Sequence, residues 1–344
     1  MKHFEYQRAA TLPDAVAAAG QEGAVYLAGG TNLLDLMKGN VMRPARLVDI
    51  SALPGLDAIS FLPQGGVRIG ALVRNADLAH HAAFAAQFPA VAEALLSGAS
   101  GQLRNAATVG GNLMQRTRCG YFYDTASACN KRDPGAGCGA QGGHTRLQAV
   151  LGWSEHCIAV HPSDFCVPLA AFDAVVEIDG PRGPREVPIM AFYLLPGAAP
   201  EQETVLAPGE LIVAVRLPAA GAAFAPHARY LKIRDRTSFA FAVVSAAAAL
   251  RLQDGRITEA RLALGGVALK PWRLREAEDV LAGRAPDQAA FAEAASVALA
   301  QARPSGDNAY KITLARNLAI RALQQAARGT PARIAALPAS VVNL

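Results

Sequence analysis

The chain has 344 residues, 52% of them hydrophobic and 18% charged, which is enough apolar material for a large core and two or three domains. No uninterrupted apolar run reaches the ~18 residues of a bilayer span, the longest being FAFAVVSAAAAL at 239–250, so the composition argues against a membrane span. The net charge is +5, but the arginines are scattered without a basic run or interleaved aromatics, which points to a solvated surface and away from nucleic acid.

In chain order, the pattern predicts a helix at 11–19, a short strand in AVYLAGG, a helix in NLLDLMKG and a strand in ARLVDI, together a small β-α-β unit over residues 1–60. From Gly65 the pattern GVRIGALV reads as a strand, and alanine-rich helices follow at about 75–86 and 89–97. Glycine and polar residues then dominate to about 145. Strand-like pieces return in LQAVLGW, CIAVH and DAVVEIDG. PGAAPEQETVLAPGE reads as a surface connection before the strand LIVAVRLP. After a boundary near 220–227 come a strand pair, FAFAVVSAAAALRL with RITEARLALGGVA, and helices beginning near Pro271, Asp287 and Asn308.

All five cysteines, Cys119, Cys129, Cys138, Cys157 and Cys166, fall within residues 119–166, in a stretch otherwise rich in glycine and polar side chains. Soft thiolates gathered in one irregular loop suit zinc or an iron–sulfur centre. Zinc usually takes ligands paired as C-x2–4-C, and no such pair occurs, although His144, His156 or His161 could complete a zinc set. Disulfides would need an oxidising compartment, and the first twenty residues show no apolar export segment or twin arginine. A cuboidal cluster tolerates widely spaced ligands if the loop wraps it. Cys166, in the apolar run FCVPLAAF, reads as a buried structural thiol.

Two glycine-rich turns carry a second chemistry. In VYLAGGTNLLDLMKG a strand runs into Gly29, Gly30, Thr31 and Asn32 and then a helix, so backbone N–H groups converge where a phosphate could sit. The turn is neither G-x-G-x-x-G nor a Walker sequence. In RNAATVGGNLMQ, Thr108, Gly110, Gly111 and Asn112 offer a second close approach to a ligand.

Taken together, AGGTNLLDL at 28–36, IGALVRNADL at 69–78, SGQLRNAATVGGNL at 100–113 and HPSD at 161–164 resemble the FAD-binding subunits of the molybdenum hydroxylases, the xanthine dehydrogenase and carbon monoxide dehydrogenase group. The resemblance spans nearly the whole chain. RTRCGYFYDTASACNKRDPGAGC followed by SEHCIAVHPSD is most similar to the flavoprotein subunit of periplasmic aldehyde oxidoreductase, which carries an extra [4Fe-4S] cluster beside its FAD.

The resemblance implies an α+β fold: a two-subdomain FAD-binding (PCMH-type) domain, 1–60 and 61–222 with the cluster loop at 115–166, then an α+β C-terminal domain of the carbon monoxide dehydrogenase flavoprotein type at 227–330 and a tail at 331–344. Tyr26, Leu27, Ala28, Gly29, Gly30, Thr31, Asn32, Leu33 and Leu34 resemble the FAD pyrophosphate loop. Thr108, Gly111 and Asn112 resemble the second FAD turn, Asp164 an acidic FAD contact, Lys232 the basic residue near the flavin and Ile212 an apolar residue on the cofactor. On the residues alone, Lys232 is an ordinary surface lysine and Ile212 a core strand residue. Cys119, Cys129, Cys138 and Cys157 are similar to the four cluster ligands.

The implied function is electron transfer in a heterotrimeric aldehyde oxidoreductase. A large molybdopterin-binding subunit would act on the substrate, a small subunit would carry two [2Fe-2S] clusters, and this chain would pass electrons through FAD to an external acceptor. A self-contained flavin oxidase or reductase, or a zinc-stabilised interaction module, is the alternative. The expected compartment is the periplasm, reached by co-export with a signal-bearing partner, or else the cytoplasm.

Overall fold

The computed structural model describes residues 1–333, so most of the expected tail, 334–344, lies outside the described residues. The first subdomain is a three-stranded parallel sheet of β1 (Glu5–Arg8), β2 (Ala24–Leu27) and β3 (Arg46–Asp49), in the order β1-β3-β2. Parallel neighbours need crossovers, and the helices Leu12–Ala19 and Leu33–Lys38 supply them. Helix Leu12–Ala19 starts as its sequence dictates: Thr11 accepts from the Asp14 amide, Pro13 occupies the first turn and Asp14 faces the helix dipole. Strand β1 carries no apolar signal, since all four of its residues are exposed, and only its pairing with β3 reveals it.

The second subdomain is built on a five-stranded antiparallel sheet of β4 (Ile59–Phe61), β5 (Val67–Gly70), β6 (Val175–Asp179), β7 (Arg185–Pro188) and β8 (Leu211–Leu217). Its order is β4-β5-β8-β6-β7. Val67, Ile69, Val176, Ile178, Val215 and Leu217 alternate inward and meet helices Pro89–Ser97 and Cys166–Ala171. The structure corrects two strand expectations. LQAVLGW and CIAVH are buried irregular chain, tied by single bonds such as Ala149 N to Ile158 O and Val150 N to Val267 O, and their apolar character reflects burial against the C-terminal part.

The third part is an antiparallel sheet of β9 (Ala228–Ile233), β10 (Val244–Gln253) and β11 (Arg256–Gly265), ordered β11-β10-β9, with helices Arg275–Asp279, Gln288–Ala298 and Tyr310–Arg328. The two-residue turn Asp254-Gly255 joins β10 to β11 with both φ angles positive, the geometry that matches strand twist. Strand β10 joins the second and third parts. Ala246, Ala248 and Leu250 face the C-terminal helices, whereas Ala247 and Ala249 face the core of the second subdomain. Its alanine run lets both layers approach one sheet, and the period of two divides the strand between two cores. Arg273 fastens the same seam, bidentate to Glu278 at 2.7 and 2.9 Å and 2.8 Å from Asp173.

Candidate FAD cleft and cysteine cavity

A cleft of about 1030 Å³ opens where the parts meet, lined by Thr31 and Asn32 from the first subdomain, Gly111, Asn112 and Asp164 from the second, and Lys232 from β9. From the stretch 26–34, only Thr31 and Asn32 reach the cleft wall. Gly29 is needed for packing, because a Cβ there would lie 2.0 Å from the Ala106 carbonyl oxygen, so no side chain fits between the two glycine-rich turns. Gly30 has φ +71°, in the left-handed region. Tyr26 donates its hydroxyl to the Gly209 carbonyl at 2.9 Å, while Leu27, Ala28, Leu33 and Leu34 are partly buried scaffold around the turn. Asn32 Oδ1 accepts from the Arg116 amide at 2.9 Å, and its buried Nδ2 donates to no group of the chain. That amide, at the start of helix Leu33–Lys38, offers a donor to a pyrophosphate, and Asp35 in the same turn brings a carboxylate to the cleft wall.

The second turn works differently from its reading as a set of free amides. Val109 and Gly110 donate to Val73 and Ala71, and Gly111 donates to the Thr108 hydroxyl, so these N–H groups hold the turn onto the sheet. Thr108 is a helix cap behind the wall, and the turn presents Gly111 and Asn112 to the cleft. Asn112 Oδ1 is fixed by Ser163 at 2.8 Å and Gln115 at 2.6 Å.

On the opposite wall, Asp164 accepts from Lys232 Nζ at 2.7 Å and from the Tyr230 hydroxyl at 2.6 Å. Tyr230 and Lys232 stand two apart on β9 and therefore point to one face. Lys232 is thus a buried cation at the cleft, its side chain 4% exposed, and not a surface lysine. Burial, followed by the Asp164 charge, holds the Tyr230 hydroxyl far above its usual range, so it remains a donor. The structure differs at Ile212. It pairs with Ile178 in the sheet core, 3% exposed, and does not line the cleft.

The cysteine loop lies directly against this cleft. Cys119, Cys129, Cys138 and Cys157 line one small cavity with Phe122, Ile158 and Ala159. Cys129 and Cys138 face each other in an antiparallel bridge clamped by Asn130, whose amide donates to Gly137 O and whose Oδ1 accepts from Gly137 N, each at 2.7 Å. Its Nδ2 reaches the His156 carbonyl at 3.1 Å, bringing the Cys157 segment alongside. The four thiols are free, as is Cys166, so no disulfide forms among them. Cys166 is fully buried in helix Cys166–Ala171, 3.0 Å from the Tyr193 hydroxyl.

The histidines that could have completed a zinc set disperse. His156 touches the cysteine cavity, whereas His144 and His161 line the cleft. Among the described residues no three His, Cys, Asp or Glu converge as a single metal ion requires. Burial raises the Cys119 thiol and lifts Cys157 to about 11, with Lys131 opposing the shift at Cys157. Lys131 is itself buried, 2.9 Å from Glu203, which also receives Arg116 at 3.1 Å. Arg116 therefore links the Asn32 turn to the cysteine loop, a connection that no motif signals.

Glycine-rich turns, a buried acid–lysine pair and a three-part α+β frame define a flavoprotein subunit of the molybdenum hydroxylase type. The family described as FAD binding domain in molybdopterin dehydrogenase matches residues 2–220, and the CO dehydrogenase flavoprotein C-terminal domain matches 229–326. The chain belongs to the FAD-binding subunits of the molybdenum hydroxylase family, which are oxidoreductase subunits.

It is 48% identical over 328 residues to the aldehyde oxidoreductase FAD-binding subunit PaoB of Escherichia coli K12, covering 95% of this chain and 99% of that one. It is 30% identical over 274 residues to the xanthine dehydrogenase FAD-binding subunit of Escherichia coli O157:H7, covering 79% and 77%. The solved carbon monoxide dehydrogenase of Hydrogenophaga pseudoflava superimposes with a TM-score of 0.74 at 29% identity, over 95% of this chain and 99% of that one.

Proposed function

We propose that this chain is the FAD- and [4Fe-4S]-carrying electron-transfer subunit of a heterotrimeric molybdenum-dependent aldehyde oxidoreductase. The observation that carries the reading is Cys119, the one cysteine that lines both the cleft and the four-cysteine cavity. A cuboidal cluster binds each of four thiolates to a different iron, and the reading is supported by the four cysteines sharing the lining of one cavity. Bound flavin supplies two-electron storage and a cluster supplies one-electron exchange, while the protein positions both and excludes water. Asn32, Asn112 and the Lys232–Asp164 pair hold the flavin dinucleotide, and Asn130 shapes the cluster loop.

The 48% identity to an aldehyde oxidoreductase subunit supports an aldehyde as the substrate of the complex. Oxidation of an aldehyde by water to the acid releases two electrons and two protons. That chemistry belongs to a large molybdopterin subunit, with a small subunit bearing two [2Fe-2S] clusters between it and this chain. An external acceptor then takes the electrons. The same reading puts the complex in the periplasm, co-exported with a signal-bearing partner. Reconstitution tests the proposal: this chain alone passes electrons from an artificial donor to an acceptor without oxidising aldehydes, and aldehyde turnover appears only with both partners. Steady aldehyde oxidation by the molybdenum-free single chain would refute it.

A further inference from the structure

We propose that Gln148 sets the reduction potential of the cluster by donating an N–H···S hydrogen bond to Cys119, and that Lys311 and Asn308 are the positioning residues that hold it there. Gln148 Nε2 lies 3.4 Å from Cys119 Sγ, and the residue is buried. Gln148 lines the cleft and Cys119 lines both the cleft and the cysteine cavity, so this contact reaches, from the cleft side, the ligand that faces the flavin site.

The backbone around Gln148 is held more firmly than a loop needs for packing alone. Its amide donates to Thr145 O at 2.8 Å, and its carbonyl accepts from Lys311 Nζ at 2.8 Å and Asn308 Nδ2 at 3.0 Å. Lys311 is fully buried at the start of helix Tyr310–Arg328 and also donates to Leu147 O at 2.9 Å and Gly266 O at 2.7 Å. Only an ammonium offers three donors, so the three carbonyls favour the charged form against the burial that pulls the amine down to about 7. The result is a side-chain amide fixed in register with one sulfur by a helix of another subdomain.

A hydrogen bond to a ligand sulfur draws electron density off the cluster and favours its reduced, more negative state, which raises the potential. The surrounding Ile158 and Ala159 are buried and apolar, so the low local dielectric strengthens the effect. Reduction of the centre then takes one electron and no proton from Gln148, which remains a neutral amide throughout.

The inference rests on the cluster reading above. Its test is a potentiometric titration, followed by electron paramagnetic resonance, of the full chain and of Gln148→Met and Gln148→Glu, with iron, sulfide and flavin counted in each. Met keeps the length and removes the donor, so the cluster potential shifts downward and its reduced-state spectrum changes while the flavin potential stays. Glu brings negative charge to the sulfur and shifts the potential further down. Variants with full iron and an unmoved potential would overturn this inference alone. Loss of the cluster from both variants while they remain folded would also overturn it, by making the amide structural. Absence of iron and sulfide from the parent chain would overturn the cluster reading itself.

Discussion

Lys232 Nζ stands 2.7 Å from Asp164 Oδ2 with both side chains more than nine-tenths buried, an ion pair between β9 and the C-terminal end of the cysteine loop. Removing one partner leaves the other charge buried. Lys232→Met is expected to cost about 3–5 kcal/mol and to lower the flavin content of the purified chain. The double variant Lys232→Met with Asp164→Leu is expected to regain stability but not flavin, since apolar replacement of a buried pair is often neutral for folding. Denaturant unfolding and flavin-to-protein ratios check the two effects separately.

Glycine positions at the first turn should be intolerant for distinct reasons. Gly29→Ala drives a Cβ to 2.0 Å from Ala106 O, which forces the two glycine-rich turns apart and costs more than the ~1–3 kcal/mol of ordinary overpacking. Gly30→Val places a branched side chain at φ +71° and 2.9 Å from Leu34 Cδ1. Flavin retention should fall sharply in Gly30→Val as the Asn32 amide shifts. Undiminished flavin content would remove that amide from the binding site.

Each of Cys119→Ser, Cys129→Ser, Cys138→Ser and Cys157→Ser is expected to lose bound iron and sulfide, because a hydroxyl replaces one of the four thiols around the cavity. Cys166→Ser is expected to keep both, since its thiol contacts Tyr193 in the core of the second subdomain. Iron and acid-labile sulfide assays decide the assignment.

Burial holds the His161 imidazole down at about 4, with its Nε2 sealed from any partner. The unfolded chain takes up a proton near pH 6.5, whereas the folded chain does so only near pH 4. Stability from this group is therefore complete above pH 6.5 and declines as pH falls toward 4, by at most about 3 kcal/mol. His161→Gln should flatten the unfolding free energy across that window, as read from denaturant titrations at a series of pH values.

The strong apolar elements were legible in the sequence: β8, β10, β11 and the three C-terminal helices arise where expected, because each has a continuous periodic face. Strand β1 was not, since EYQR has no buried side chain and owes its conformation to its neighbour. Thr31, Asn32, Asn112, Asp164 and Lys232, which the motif resemblance singles out, line one cleft. Ile212 and most of 26–34 do not reach it, because a motif marks the scaffold of a turn together with its contacts. Tyr230 could have been found as the i−2 neighbour of Lys232 on a strand. Arg116, Gln148 and Lys311 could not, because their roles depend on partners 84, 29 and 163 residues away in sequence.

On the proposed reading, a flavin and a four-cysteine cluster share the wall formed by Cys119. The most direct test is the visible spectrum of the anaerobically purified chain, taken with its iron and sulfide content. The expected result is a flavin band over a broad shoulder that bleaches on reduction, with about four iron and four sulfide per chain, the content of one [4Fe-4S] centre bound by four cysteines. A flavin band alone, with no iron or sulfide, would contradict it.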